Sequence, residues 1–364
     1  MNPSFQSFSF GCRVNEAEKQ LLDKRLLHDG YSWDDTRPTF FIINTCAVTG
    51  KAEREVRQFI YQTKKKYPET KIILTGCSAT LWKNNSIDMP YADHIISNDE
   101  KNSIPDFLLS LLPLTKNKAY LSSAQKSSND KFLTSGRLMV KIGDGCVRNC
   151  TYCIVPKLRG KPSNKTIKNI IKEIQSHDEP ISEIILTAIN TEYFGMKEKT
   201  SLWQLVDEIL KRTNVPLVSF GSVNPWSFDD SFFQWYGVNR DNPRFMHFFH
   251  IPVQSGSDTV LARMHRGYKA REIGEKMKRI KEMNPKAFIG TDVIVGFPGE
   301  TEKEFEETYE FLKKSPIDKL HVFRYSNRPG TEASKLKNEP TPQEKRNRSR
   351  KLIELGKDPS ASSG

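Results

Sequence analysis

Three cysteines, Cys146, Cys150 and Cys153, lie close together with the spacing CxxxCxxC. Thiolates are soft ligands that suit zinc or iron–sulfur clusters. A structural zinc ion or a fully ligated cubane cluster takes four protein ligands. Three local thiolates therefore indicate a cubane with one iron open for chemistry. The alternative is a zinc knuckle with a distant fourth ligand, although closed zinc sites more often pair their ligands as CxxC…CxxC.

The other three cysteines, Cys12, Cys46 and Cys77, each follow a predicted strand. These strands are predicted at 8–10, 40–43 and 71–74. The carboxyl ends of parallel strands line one edge of a sheet, where ligands bind. The three thiols can therefore converge, which predicts a second three-thiolate cluster. The alternatives are three unrelated buried cysteines, or disulfides, which a cytosolic setting disfavours.

The first 112 residues alternate strands and helices in a βαβαβ order, which predicts an α/β domain with a buried parallel sheet. Asn15 is expected to cap the first helix, with Glu18 completing a capping box. A second helix is expected from Thr49 to Pro68. A further strand is expected at 93–96 and a further helix at 104–112.

A second βα rhythm begins at Leu138 and predicts an incomplete (β/α)6 barrel. Its strands are predicted at 138–142, 183–188, 216–220, 247–253, 288–294 and 319–323. Its helices are predicted at 164–177, 201–213, 258–282 with a break near Gly267, and 301–314. Active sites of such barrels lie at the carboxyl ends of the strands. The CxxxCxxC loop follows the first of these strands. The stretch from 226 to 240 gives no clear prediction.

The composition indicates a basic, water-soluble chain. The 364 residues carry a net charge of +12, with a pI near 9.3 and a mean hydropathy of −0.59. Such an excess suggests a polyanionic partner, most simply nucleic acid, and plain solubility is the alternative. The sequence has no apolar run of about eighteen residues and no signal peptide, so we expect a cytoplasmic protein.

The cysteine segments resemble those of a known family. The CxxxCxxC spacing is similar to that of radical S-adenosylmethionine (SAM) enzymes. The segments FGCRVNEAE, INTCAVTGKAEREVRQ and LTGCSAT resemble the radical-SAM methylthiotransferases. Together with YSNRPGT, they look most like the branch that acts on threonylcarbamoyladenosine beside the tRNA anticodon. The sister branches act on isopentenyladenosine, also called dimethylallyladenosine, and on a ribosomal protein.

The resemblance implies an N-terminal methylthiotransferase domain at 1–112, a linker at 113–136 with a short strand near 119–121, and a radical-SAM partial barrel at 137–335. Residues 336–364 are expected to form a basic helix and a flexible tail. The family's small RNA-binding TRAM domain has no counterpart in this sequence, so we expect RNA affinity to come from the two domains and the basic helix.

The resemblance also implies the chemistry. Two 4Fe-4S clusters and SAM are the expected cofactors: the Cys146/Cys150/Cys153 cluster generates a radical from SAM, and the Cys12/Cys46/Cys77 cluster carries the sulfur. The residues expected to bind SAM are Tyr152, Asn190, His250, Gln254, Gly296, Pro298 and Gly299. The expected partners are a tRNA anticodon stem-loop, an external reductant and a sulfur donor, with the protein as a monomer.

Basic residues near the barrel loops are expected to contact RNA phosphates, although each is alternatively a solvated surface charge. They are Arg159, Lys161, Lys165, Arg263 and Arg266. The sequence departs from the family at Ala188, which replaces a usual Gly, and at Ser219 and Asn224, which replace a usual Arg and Glu. A rival of another class is a non-catalytic iron–sulfur electron carrier or RNA-binding scaffold.

Overall fold

The computed structural model describes residues 3–112, 135–177 and 179–357. The chain divides into two units. Unit 1 comprises Met1–Lys141, Ile154–Lys161 and Asp178–Ile181, and unit 2 comprises Ile142–Cys153, Pro162–His177 and Ser182–Gly364. The segment that directly follows Cys153 thus belongs to unit 1. The strand predicted at 119–121 and the predicted flexible tail at 360–364 lie outside the described residues.

Unit 1 is built on a five-stranded parallel sheet. Its strands are β1 (Ser4–Ser9), β2 (Ser32–Trp33), β3 (Phe40–Thr45), β4 (Lys71–Gly76) and β5 (His94–Ile95), in the order β2-β1-β3-β4-β5. The central strands are buried on both faces, as their unbroken apolar runs predict. The predicted parallel α/β architecture is confirmed.

Helices cover both faces of this sheet. They are α1 (Arg13–His28), α2 (Gly50–Lys66), α3 (Cys77–Asn84) and α4 (Ile104–Ser110). One apolar cluster joins Val56 and Ile60 of α2 and Trp82 of α3 to the sheet. A second cluster on the other face includes Leu26 of α1 and Leu108 of α4.

The two long helices of unit 1 begin differently from one another. As predicted, α2 starts after Thr49, whose hydroxyl accepts a hydrogen bond from the Ala52 N–H. The predicted capping box at Asn15 is wrong, because α1 already begins at Arg13. Asn15 is buried, and its amide donates to the Phe10 and Thr45 carbonyls, 2.8 and 3.0 Å away.

The barrel contains six main strands in two sheets; five lie wholly in unit 2, and the first is divided, with residues 137–141 in unit 1 and 142–144 in unit 2. The strands are β6 (Arg137–Asp144), β8 (Glu183–Ala188), β9 (Leu217–Phe220), β10 (Phe248–His250), β11 (Phe288–Val295) and β12 (Lys319–Arg324), and a short β7 (Ser163–Asn164) pairs antiparallel with β6. The sheet orders are β7-β6-β8-β9 and β10-β11-β12. Val218 of β9 also forms a parallel bridge with Phe245, which precedes β10. The predicted partial (β/α)6 barrel is confirmed.

Helices connect these strands as the βα rhythm predicts. They are α5 (Val155–Arg159, part of unit 1), α6 (Ile167–Gln175), α7 (Leu202–Arg212), α8 (Asp230–Asn239), α9 (Asp258–Arg263), α10 (Ala270–Met283), α11 (Glu302–Lys314) and α12 (Pro342–Leu355). The break near Gly267 falls between α9 and α10. The stretch that gave no prediction holds α8, whose Phe232 and Tyr236 are core residues. Within the described ranges, no helix is long and apolar enough to cross a membrane.

Replacing a central core residue tests the sheet of unit 1. Ile73 of β4 is fully buried, so Ile73→Ala removes packed methyl groups and leaves a cavity. We expect it to lower the free energy of unfolding by about 2–5 kcal/mol in urea titrations followed by circular dichroism. Leu21→Ala is the control, because Leu21 is 45% exposed, and its expected loss is about 0.5 kcal/mol or less. Equal losses would contradict the central position of β4.

Candidate functional site

The structure brings Cys12, Cys46 and Cys77 to the carboxyl edge of the unit 1 sheet, directly after β1, β3 and β4. Burial raises the pKa of the Cys46 thiol to about 12, and the neighbouring Cys12 and Cys77 add to this rise. Gly11 has a positive φ of 87°, and a Cβ there would lie 2.5 Å from the Cys46 sulfur. Only glycine therefore lets the end of β1 approach this thiol so closely.

The Arg159 side chain, which belongs to the same unit, lies among these cysteines. Its Nε donates to the Cys77 sulfur over 3.3 Å, and its Nη2 donates to the Asn15 side-chain oxygen over 2.5 Å. The Glu18 carboxylate also accepts from it, at 2.8 and 3.2 Å. The side chain is fully buried. The prediction that Arg159 contacts RNA is therefore corrected, because the guanidinium is enclosed and its donors face Glu18, Asn15 and Cys77.

Glu18 is the centre of an ion network. Besides Arg159, Lys101 and Lys141 reach its carboxylate, at 2.5 and 2.6 Å. Burial alone would raise the pKa of Glu18, but the three cations hold it well below its usual range. Three cationic side chains thus gather around this one carboxylate. Burial raises the pKa of the Cys12 and Cys46 thiols, and the Arg159 guanidinium acts in the opposite direction. The three cysteines therefore have a cation beside them that fits an anionic iron–sulfur cluster.

In unit 2, hydrogen-bond donors surround the CxxxCxxC loop that follows β6. The Arg148 backbone N–H lies 3.3 Å from the Cys146 sulfur, and the Asn190 amide lies 3.6 Å from it. The Arg266 guanidinium donates to the Cys150 sulfur over 3.3 Å. Such donors favour the deprotonated thiol, and the three cysteines are partly exposed. The loop therefore fits a three-thiolate cluster that substrate molecules can reach. None of the chain's six cysteines, all within the described ranges, forms a disulfide.

A tryptophan between two arginines stands beside this loop. The Arg148 and Arg266 guanidinium groups lie 3.9 and 4.6 Å from the centre of the Trp226 ring. Arg148 also pairs with Glu192 through two hydrogen bonds. Sequence reasoning missed this arrangement, because Trp226 lies in the stretch without a prediction and no spacing links it to either arginine. The sequence offers one indication of this arrangement, which is that Arg148 lies inside the cysteine motif.

The residues expected to bind SAM fall into two groups. Tyr152 and Asn190 adjoin the cysteine loop: the Arg266 guanidinium donates to the Tyr152 hydroxyl over 3.3 Å, and Asn190 donates to Cys146. Burial raises the pKa of Tyr152 well above its usual value, so the phenol stays protonated. His250 lies 2.9 Å from Asp292 and stays a predicted SAM contact. Gln254 has a φ of 72°, a strained conformation that is common at binding sites.

The predicted glycine loop after β11 packs against α12. Gly296 has a φ of 73° and donates its N–H to the Glu300 carboxylate over 2.6 Å. Arg348 of α12 donates to the same carboxylate over 2.8 Å, and both side chains are buried. Lys345 is buried as well. The predicted basic helix therefore uses two of its cations inside unit 2. Pro298 and Gly299 complete the loop, and Pro298 is buried.

Most of the basic residues expected to contact RNA form ion pairs or hydrogen bonds with other residues of the chain. Arg266 is buried, so its prediction as an RNA contact is corrected in the same way as that of Arg159. Arg263 forms a two-pronged pair with Glu304, at 2.8 and 2.9 Å. Lys165 pairs with Glu173. Lys161 is exposed and remains a predicted RNA contact.

Two of the three positions that depart from the family, Ser219 and Asn224, form hydrogen bonds within unit 2. The Ser219 hydroxyl donates to the Glu183 carboxylate over 2.6 Å inside the barrel wall. The Asn224 side-chain oxygen accepts from the Thr191 N–H and hydroxyl, at 3.1 and 3.2 Å. These side chains thus support neighbouring loops and leave the Cys146 and Cys150 contacts to other residues.

Comparisons with known proteins agree with this site. Residues 140–312 match the description "Radical SAM superfamily", and residues 5–97 match "Uncharacterized protein family UPF0004". The chain is 32% identical to the threonylcarbamoyladenosine tRNA methylthiotransferase MtaB of Aquifex aeolicus, over 95% of this chain and 86% of that protein. The chain belongs to the radical-SAM methylthiotransferase family. The family identified from the cysteine segments is confirmed, and the chain is an enzyme that uses a 4Fe-4S cluster with SAM.

Other relatives are named for different substrates. The tRNA-2-methylthio-N(6)-dimethylallyladenosine synthase of Aquifex aeolicus is 30% identical, over 98% of this chain and 84% of that protein. The ribosomal protein uS12 methylthiotransferase RimO of Alkaliphilus oremlandii is 33% identical, over 86% and 72%. The radical S-adenosylmethionine methyltransferase TsrM of Kitasatospora setae shares the fold, with a TM-score of 0.59 at 11% identity over 92% of this chain and 77% of that one.

Removing the charge of Glu18 tests the ion network. Glu18→Gln keeps the shape but leaves Arg159, Lys101 and Lys141 without their carboxylate. We expect the free energy of unfolding at pH 7 to fall by about 3–5 kcal/mol, since breaking a buried pair strands a charge. Glu55→Gln is the control, because Glu55 is 51% exposed and pairs only at the surface with Lys51; its expected loss is about 0.5 kcal/mol or less.

The pH dependence of the unfolding free energy, compared between wild type and Glu18→Gln, separates the loss of charge from a packing defect. Because the folded pKa of Glu18 lies below its ordinary value of 4.5, its stabilisation is fully present above pH 4.5 and is lost as the pH falls through the folded pKa. The difference between wild type and Glu18→Gln should therefore shrink in acid. A difference that stays constant from pH 7 down to strong acid would contradict the charge network.

Proposed function

We propose that this enzyme replaces the hydrogen on carbon two of threonylcarbamoyladenosine, beside the tRNA anticodon, with a methylthio group. The single observation that carries the proposal is the pair of three-cysteine sites, each with cationic donors directed at a thiol: Arg159 at Cys77 and Arg266 at Cys150. The Cys12/Cys46/Cys77 site, with Arg159, belongs to unit 1, and the Cys146/Cys150/Cys153 site, with Arg266, belongs to unit 2. The cysteines of the two sites lie in the proposed domains 1–112 and 137–335. Each site is proposed to hold one 4Fe-4S cluster.

The proposed reaction does not depend on a side-chain acid–base pair. The target hydrogen on carbon two is not acidic enough for a side-chain base at neutral pH, so the bound cluster with SAM supplies one-electron chemistry. The chain's own residues hold the thiolates and shield them. Asn190 and Arg266 donate to two sulfurs of the CxxxCxxC loop, and protonated Tyr152 adds no negative charge beside them.

The proposed substrate is tRNA. An external reductant and a sulfur donor are the further proposed partners, and the cytoplasm is the proposed site of action. A target base must leave its stack, which costs a few kcal/mol and is easier in an anticodon loop than in a duplex. The net charge of +12 favours RNA over a protein substrate. Lys161, with Arg346 and Arg350 on the outer face of α12, offers exposed cations for phosphates. We propose a monomer as the working unit.

Nucleoside analysis of modified tRNA tests this function. The anaerobically reconstituted enzyme, with SAM, sulfide and dithionite, is incubated with tRNA that carries threonylcarbamoyladenosine or dimethylallyladenosine but no methylthio group, and separately with ribosomal protein uS12. Mass spectrometry should detect the methylthio product of threonylcarbamoyladenosine. A variant with Cys146, Cys150 and Cys153 changed to Ala should give no product and no 5′-deoxyadenosine. A product from dimethylallyladenosine or uS12 alone would refute the proposed substrate.

Iron analysis tests the number of clusters. We expect about eight iron and eight sulfide atoms per chain in the wild type, and about four of each in either triple-alanine variant, Cys12/Cys46/Cys77 or Cys146/Cys150/Cys153. Because the two sites lie in separate units, each loss should leave the other site loaded. About four iron atoms in the wild type would remove the sulfur-carrying cluster from the proposal.

A further inference from the structure

Three polar side chains meet on neighbouring strands of unit 2. His250 ends β10, Asp292 lies in β11 and His321 lies in β12. In the parallel register, Asp292 is directly opposite His321, and His250 is opposite Gly290. Since side chains alternate along a strand, Gly290 and Asp292 share a face. The register therefore puts the two imidazoles and the carboxylate on the same face of the β10-β11-β12 sheet.

One carboxylate oxygen holds both rings. Asp292 Oδ1 lies 2.9 Å from His250 Nε2 and 3.2 Å from His321 Nδ1. An ionised carboxylate only accepts hydrogen bonds, so each of these nitrogens donates. A Cβ at Gly290 would come within 2.9 Å of His250 Nδ1, so that nitrogen packs against the strand. The nitrogen that remains for a ligand is Nε2 of His321, whose side chain is 44% exposed.

The triad of His250, Asp292 and His321 lies on the same face of β11 as Ile294, a residue of the apolar cluster on which Tyr152 packs. Ile289, Thr291, Val293 and Val295 form the fully buried face of β11, and Asp292 and Ile294 lie on the other face. Ile294 packs on the same cluster, around Met264, Phe297 and Tyr325, as Tyr152 of the cysteine loop. Asp292 is two residues away from Ile294, or about 6.6 Å along the strand. Ile294 therefore connects the face of β11 that carries Asp292 to the apolar cluster on which Tyr152 also packs.

We propose that His321, positioned by Asp292 and His250, binds the polar threonylcarbamoyl substituent of the target adenosine. This inference rests on the proposed function. The substituent presents ureido N–H groups, carbonyls, a hydroxyl and a carboxylate, and an imidazole pairs with such groups. A dimethylallyl substituent presents none of them, so it would bury the imidazole nitrogen without a partner. A site built around a polar group rejects analogues that lack it strongly.

The test compares two tRNA substrates in His321→Phe, which keeps a ring of similar size but removes its nitrogens. We expect kcat/KM on threonylcarbamoyladenosine tRNA to fall about 10- to 100-fold, which corresponds to one lost hydrogen bond to a polar group. Activity on dimethylallyladenosine tRNA should stay constant or rise, and 5′-deoxyadenosine formation from SAM without tRNA should be unchanged. His321→Gln, which retains a hydrogen-bonding side chain, should recover part of the loss.

Two further variants complete the design. Gly290→Ala pushes the His250 ring away from its position and should lower the same selectivity ratio without touching His321. His28→Phe is the matched control, because His28 is an exposed histidine on α1 with a side chain 86% exposed. It should leave both substrates unaffected. Gly290→Ala also keeps the proposal testable if His321→Phe does not fold.

Three outcomes would overturn the proposal while the proposed function stands: an unchanged selectivity ratio in His321→Phe, an equal loss on both substrates, or a stoichiometric divalent ion, distinct from cluster iron, that wild type holds and His321→Phe loses. The last result would make the triad a metal centre, for which two imidazoles and a carboxylate are suitable ligands. A wild type without activity on threonylcarbamoyladenosine tRNA would refute the proposed function itself, and this inference with it.

Discussion

The buried pairing of Arg159 with Glu18 is the interaction on which the arrangement around Cys12, Cys46 and Cys77 depends. A guanidinium removed from water is tolerated only when its donors are matched, and here Glu18, Asn15 and the Cys77 sulfur accept from it. Glu18 comes from α1 and Arg159 from α5, which are 141 residues apart in the chain. The pair therefore fastens the segment that follows the CxxxCxxC loop to the cysteine edge of unit 1. Lys101 and Lys141 complete the same network.

In both units, the residues of the candidate sites follow the carboxyl ends of parallel strands. In unit 1, cysteines follow three neighbouring strands. In unit 2, the CxxxCxxC loop follows β6, Asn190 follows β8 and the Gly296 loop follows β11. Ends of parallel strands meet at one edge, so residues distant in sequence become neighbours without long connecting loops. The strands themselves are apolar and buried, and they supply rigid positions for polar groups that extend beyond them.

Much of this arrangement was predictable from the sequence because it follows local patterns. The apolar runs predicted the strands, and Thr49 predicted the start of α2. The cysteines indicated where three of the strands end. Tertiary partners were not predictable in this way. Asn15 has the residue type of a helix cap but bonds to the Phe10 and Thr45 carbonyls. Arg159 and Arg266 read as surface cations, yet both are enclosed by partners far away in the chain, and no spacing in the sequence encodes such pairings.

The position of Arg159 among the cysteines has a consequence for how metal binding and folding are coupled. The guanidinium lowers the pKa of the Cys12 and Cys46 thiols, against the rise that burial causes. A group that binds these sulfurs only in the folded chain stabilises that chain by mass action, so binding and folding promote each other.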